Sequence, residues 1–182
     1  KSVPRKNLYP INGKTLIAFT ILQSLASRHI TRTIVSTDDD EIAMVSREWG
    51  AETPFMRPSE LAQDNSVDLE AFEHCLDWLK ENEAYEPDMV VHLRATGPVR
   101  RVELIDRAIE HLAAEPSADS LRTVVLSKQT PYKMWRFDGD FIVPVVELPE
   151  VREAHSVARQ SLPKTYWQNG YVDVIRRQTI VD

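Results

Sequence analysis

The feature that most limits what this chain can fold into is a change of hydrophobic period that repeats along it. Short β-branched or aliphatic runs at 33–35, 89–93 and 123–126 suit buried strands. The stretches between them place apolar residues three to four positions apart, the spacing of one helix face. Residues 15–28 carry Leu16, Ile17, Phe19, Ile21, Leu22 and Leu25, and 67–82 carry Leu69, Phe72, Leu76 and Leu79. Residues 103–115 carry Leu104, Ile105, Ala108, Ile109 and Leu112. A further helix ends near Glu48, with Ile42, Val45 and Trp49 on one face. Thr37 and Asp38–Glu41 are placed to cap it, and Gly50 to end it. Strands alternating with helices predict an α/β fold, a mainly parallel sheet with helices on both faces.

The alternation breaks after Pro131. Asp138-Gly139-Asp140 lies between two extended stretches, which predicts a hairpin over 135–146. A polar stretch follows over 150–164, and strand character returns at 170–175. The reading is one domain over 1–182 with an excursion at about 131–168. Trp135, Phe137, Phe141, Ile142 and Val143 make that hairpin too apolar to stand alone in water. A second copy of the chain is the expected cover, hence a homodimer.

Composition removes several function classes. The 182 residues are 42% hydrophobic and 27% charged, enough to bury a core and too ordered a mixture for a disordered chain. Lys and Arg number 22 against 28 Asp and Glu, a net charge of −6, which argues against a nucleic-acid partner. No apolar run approaches the roughly 18 residues of a membrane helix. The single cysteine, Cys75, fits a reducing compartment, so a cytoplasmic location is expected. It sits on a helix face as a packing residue rather than a nucleophile. The five histidines lack metal-ligand spacing, and there is no G-x-G-x-x-G, Walker or G-x-S-x-G sequence. The chain opens on Lys1 with no methionine and closes soon after a strand, and both ends read as cut through a longer protein.

Ligands of open α/β sheets bind beyond the carboxyl ends of the strands, and three segments fall there. The N-terminal loop carries Lys1, Arg5 and Lys6, three cations in seven residues. Such a loop can hold a polyphosphate or be a solvated terminus. Residues 94–100, Arg-Ala-Thr-Gly-Pro-Val-Arg, offer small residues, a hydroxyl and two arginines directly after a strand. They suit an anionic ligand, or an ordinary strand-to-helix connection with solvent-facing arginines. Residues 57–66 are long enough to wrap a ligand, or to serve as a surface loop leading into the next helix.

Taken in order, these segments resemble the acylneuraminate cytidylyltransferases, or CMP-sialic acid synthetases. Lys1-Ser2-Val3-Pro4-Arg5-Lys6-Asn7 is similar to the tail of their A-R-x-x-S-K-x-x-P-x-K-N phosphate loop. Ile11-Asn12-Gly13-Lys14-Thr15-Leu16-Ile17 is similar to N-G-K-P-L-I, and Ile34-Val35-Ser36-Thr37-Asp38-Asp39 to V-V-S-T-D-D. Arg57-Pro58-Ser59-Glu60-Leu61-Ala62-Gln63-Asp64 matches R-P-A-E-L-A-x-D closely, and Arg94 to Arg100 matches Q-P-T-S-P-L-R imperfectly. Arg159-Gln160-Ser161-Leu162-Pro163 and Asn169-Gly170 resemble R-Q-x-L-P and N-G.

The resemblance implies a nucleotidyltransferase, Rossmann-like fold with a dimerisation arm at 131–168. It implies a cytidylyltransferase that activates a nonulosonic acid, such as sialic, legionaminic or pseudaminic acid, with CTP and Mg²⁺. Lys6 would be catalytic, stabilising charge on the transferring α-phosphate. Lys1 and Asn7 would complete the phosphate loop, with Arg57 against the cytosine and Ser66 nearby. Arg94, Thr96 and Asn169 would face the sugar acid. Three departures bear on the sugar. Arg94 stands where the family usually has Gln, Gly97 where it usually has Ser, and Asp173 where an aromatic residue is usual after N-G-x-x. The family's metal-binding carboxylates sit in an I-D-I-D-type segment beyond Asp182, so no metal ligand is assigned within the chain. The alternatives are another nucleotide or a sugar phosphate on the same fold, or a non-catalytic nucleotide- or sugar-binding relative.

Overall fold

The computed structural model describes residues 3–182. They divide into two compact units, one made of the chain up to Arg122 together with Gly170–Asp182, the other of Thr123–Asn169.

In the first unit a 3₁₀ turn, Lys6–Leu8, leads into a tight hairpin of β1 (Pro10–Ile11) and β2 (Lys14–Thr15). Asn12 and Gly13 make its turn at positive φ, 47° and 80°. Helix α1 (Leu16–Leu25) buries Ile17, Ala18 and Ile21. Helix α2 (Asp40–Glu48) starts where the sequence placed a cap: the Asp39 carboxylate accepts from the backbone N–H groups of Glu41 and Ile42 at 2.9 and 3.0 Å. Gly50 ends that turn at φ 92°. Helix α3 (Asp68–Glu83) follows the spacing of Leu69, Phe72, Leu76 and Leu79, and the Glu70 carboxylate accepts from the Val67 N–H. Strand β3 (Met89–His92), helix α4 (Val102–Ala113) and strand β4 (Ser120–Leu126) come next, and β4 carries the chain into the second unit.

The second unit holds the hairpin of β5 (Trp135–Asp138) and β6 (Phe141–Pro144), paired from Trp135–Pro144 to Asp138–Phe141 around a turn with Gly139 at φ 59°. The polar stretch after it folds onto the hairpin through an edge-on contact of Trp135 with His155, ring centroids 4.8 Å apart. Strand β7 (Tyr166–Arg176) starts in this unit and returns to the first, where α5 (Arg177–Val181) follows.

The strand order is β3-β7-β4, with β3 and β7 antiparallel and Val91 opposite Val174. A parallel bridge joins Ile34 and Glu52. β7 re-enters the first unit at Gly170, beside Arg94 at the carboxyl end of β3, and from there runs back against β3, a common arrangement in mixed sheets. Two apolar clusters hold the first unit. Ile105, Ala108 and Leu112 of α4 pack on Val172 and Val174, and Ile17 and Ile21 of α1 pack with Ala51. Full burial of each large aliphatic side chain is worth about 1.5–3 kcal/mol.

The end of α1 is fastened to α4 by one buried carboxylate. Asp106 accepts from the Ser27 hydroxyl at 2.6 Å and from the Arg28 backbone N–H and Nε, both at 3.1 Å. Burial acts to raise its pKa, and these donors outweigh it and hold the carboxyl below the ordinary aspartate value.

Candidate active site

A cavity of about 1090 Å³ opens in the first unit. Its interior is apolar, lined by Ile17, Ile21, Val35, Leu76 and Val91. Its polar lining includes Arg5, Lys6 and Asn7, then Ser36 to Asp39, then Arg57, with Arg32, Asp68, Glu86, Asp88 and His92 also on its walls. The Ser36 to Asp39 segment and Arg57 are tied together, since the Arg57 N–H donates to the Thr37 carbonyl at 2.8 Å.

The cations of the N-terminal loop are not equivalent. Arg5, in the left-handed region at φ 54°, pairs with Glu41 of α2. Lys6 starts the 3₁₀ turn, lines the cavity and has no ion pair among the described residues. Lys1 lies outside the described residues. Three side-chain atoms in this cavity are buried without a hydrogen-bond partner among the described residues: Asn7 Oδ1, Ser36 Oγ and Arg57 Nε. Buried polar atoms are nearly always satisfied, and these three leave an acceptor and two donors open to a ligand or water in one cavity. The sequence pointed to Asn7 and Arg57. It missed Ser36, although the S-T-D-D stretch carried it, because nothing in a strand-end serine distinguishes a hydroxyl facing a cavity.

Ser66 is placed differently from that expectation. It closes a turn, its hydroxyl accepting from the Gln63 N–H at 3.0 Å and donating to the Glu60 carbonyl at 3.3 Å. It does not line the cavity.

The loop after β3 is held rigidly. Arg100, expected as a cation for a ligand or for solvent, is 7% exposed and serves the backbone instead. Its Nε donates to the Tyr171 carbonyl at 2.5 Å and its Nη2 to the Arg94 carbonyl at 2.7 Å. Its Nη1 donates to the Thr20 hydroxyl at 3.1 Å and also to the Gly97 carbonyl. Burial lowers its pKa. Gln23 Nε2 fixes the Pro98 carbonyl at 2.6 Å. Thr96, at the outer turn of this loop, is exposed.

Arg94 points the other way. Its Nη2 is 2.9 Å from Asp68 Oδ2 at the start of α3 and 3.9 Å from Asp173 Oδ2 on β7. His92 lies behind it, with burial pushing its imidazole below the ordinary value. Gly170, at φ 62°, lies under the Arg94 side chain, where an added Cβ would sit 3.4 Å from Cδ. Asn169 belongs to the second unit, where its Oδ1 accepts from the Thr123 hydroxyl at 2.8 Å. Cys75 faces the cavity interior, and burial pushes its thiol up to about 11, which removes it as a nucleophile. Among the described residues no three His, Cys, Asp or Glu side chains converge as a metal site.

A cation-bearing turn and open polar groups at the ends of strand segments make a phosphate and base site chemically sound. The family comparison decides the matter: the cytidylyltransferase family model matches residues 1–180. This chain belongs to the cytidylyltransferase family. It is an enzyme of the nucleotidyltransferase class, as the ordered motifs implied. Over its whole length it is 28% identical to post-translational flagellin modification protein B of Campylobacter coli, covering 74% of that protein. It is 29% identical to a CMP-N,N'-diacetyllegionaminic acid synthase of Campylobacter jejuni, covering 75% of it. A solved CMP:2-keto-3-deoxy-manno-octonic acid synthetase, complexed with CTP, superposes with a TM-score of 0.68 at 14% identity, over 98% of this chain and 70% of the other. That likeness establishes the α/β nucleotidyltransferase fold. No helix among the described residues is long and apolar enough to cross a membrane.

Proposed function

We propose that this cytidylyltransferase activates a nonulosonic acid, sialic acid or a relative such as legionaminic or pseudaminic acid, with CTP. The anomeric hydroxyl oxygen bonds to the α-phosphorus, the bond to the bridging oxygen of the β-phosphate breaks, and pyrophosphate leaves. The hydroxyl proton passes to solvent. The observation that carries the reading is the cavity where Lys6 meets the open groups of Asn7, Ser36 and Arg57. The relative named as a CMP-N,N'-diacetyllegionaminic acid synthase, matched over this whole chain, supports the acceptor class.

Lys6 is the catalytic cation, balancing charge on the phosphates as transfer proceeds. Asn7 and Lys1 shape the phosphate loop. Arg57 serves the base, and Ser66 orders the turn that follows it. Arg94, Thr96 and Asn169 serve the sugar acid. The described residues do not assemble a site for Mg²⁺ by themselves. Mg²⁺ would enter with CTP, because it characteristically binds through substrate phosphates and one or two carboxylates. The expected setting is the cytoplasm, with no nucleic-acid partner.

The chain acts as one catalytic domain whose 131–168 segment is a dimerisation arm. Phe137 and Phe141 are 81% and 77% exposed, and Trp167 is 67% exposed, more apolar surface than a small unit normally leaves to water. Light scattering should give twice the chain mass, and a monomer with the arm intact would contradict it. For the activity, pyrophosphate release is measured with four NTPs against a sugar 1-phosphate and a panel of sialic, legionaminic, pseudaminic and 3-deoxy-manno-octulosonic acids. CTP with a nine-carbon acid should lead; release with another nucleotide, or with a sugar phosphate alone, overturns the reading.

A further inference from the structure

Two of the positions that depart from the family pattern, 94 and 173, meet in space. β3 and β7 pair with His92 opposite Asp173, so the Asp173 side chain emerges one strand away from the point where the chain leaves β3 for Arg94. The carboxylate lies 3.9 Å from the Arg94 guanidinium, and Asp173 is 5% exposed. Asp68, by contrast, touches the same Nη2 at 2.9 Å from the exposed side, its side chain 59% accessible. Gly170 leaves room for the arginine's stem. Arg100, meanwhile, pins the Arg94 carbonyl. The guanidinium thus has a fixed backbone, one buried anionic neighbour and one exchangeable, solvent-facing anion.

We propose that Asp173 is a specificity-determining residue of the acceptor side and acts through Arg94. This rests on the reading of Arg94 as an acceptor group. The buried carboxylate holds the guanidinium at the sheet edge. The Asp68 carboxylate occupies the outer donor until a carboxylate-bearing acceptor takes its place. A guanidinium binds a carboxylate through two parallel N–H donors, so a small rotation of Arg94 changes which acid fits. Arginine and aspartate at these two positions work as one unit, and neither sets the preference without the other.

The test is a double-mutant cycle on the active protein with Arg94→Gln, Asp173→Asn and the two combined, both substitutions being close to isosteric. For each protein kcat/KM is measured with CTP against the four sugar acids named above, and with the best acid against four NTPs. Asp173→Asn alone should change the ratio between the best and second-best acid about fivefold, a coupling usual for contacting charges. In the Arg94→Gln background the same change should leave that ratio where it was. The NTP ranking should hold throughout. A change in all acids by one common factor, equal in both backgrounds, assigns Asp173 to stability alone and overturns the proposal. Asp173→Glu, which keeps the charge on a longer arm, completes the cycle if Asp173→Asn does not fold. A wild-type protein that releases pyrophosphate while its acid ranking never moves overturns this inference only. A wild-type protein inactive with every acid overturns the acceptor reading as well.

Discussion

The cavity edge at Asn7, Ser36 and Arg57 and the loop 94–100 both lie in the first unit, yet they are built in opposite ways. At the first, three buried polar atoms have no partner among the described residues. In the second, the carbonyls of Arg94, Gly97 and Pro98 are all bonded, two by Arg100 and one by Gln23. The first is completed when something binds. The second is set before anything arrives, which removes an ordering cost from binding. On the proposed function, the open side is the one to grip the triphosphate and the pinned loop the one to discriminate among similar acids.

The largest effect should come from dismantling the rigid side. Arg100→Met strips donors from buried carbonyls, and leaving even two unsatisfied costs about 3 kcal/mol of stability. Urea unfolding measures it; a loss below about 0.5 kcal/mol would show that the loop is held by something else. Next is the open side. Lys6→Ala should lower turnover about 100-fold at saturating CTP with the unfolding midpoint unchanged. Near-normal turnover would remove Lys6 from the reaction. Arg57→Ala should raise KM for CTP about tenfold and move kcat less, the signature of lost ground-state binding. The smallest effect belongs to Ser66→Ala, with KM for CTP rising about twofold and stability shifting by about 0.5 kcal/mol or less. A larger rise in KM would place the hydroxyl on the nucleotide rather than in its turn.

Local chemistry was well recorded in the sequence. The spacing of Leu69, Phe72, Leu76 and Leu79 marked α3, Asp39 marked the start of α2, and Asp138-Gly139-Asp140 marked a hairpin turn. Each depends on neighbours within a few residues. The antiparallel pairing of β3 with β7 was not legible, because it joins Val91 to Val174 across the excursion. Arg100 misled for the same reason. A flanking arginine reads as a free cation until Thr20 and Tyr171, about 80 and 71 positions away, supply its acceptors. Motif order singled out Lys6, Asn7 and Arg57, and all three line the cavity. Which of the N-terminal cations is spent on an ion pair depended on where Glu41 of α2 comes to lie.

The buried thiol has a practical consequence for spectroscopy. Cys75 is the one cysteine in the chain, and its thiol is pushed up to about 11. An ordinary exposed cysteine ionises near 8.5, so at neutral pH it carries roughly 300-fold more thiolate, the species that maleimides attack. The native chain is therefore a nearly silent background for labelling. A cysteine introduced at Val99, 85% exposed on the pinned 94–100 loop, would take a fluorophore or spin label well ahead of Cys75. A change in the label's surroundings could then be read as sugar acids are added, with Cys75 left in place.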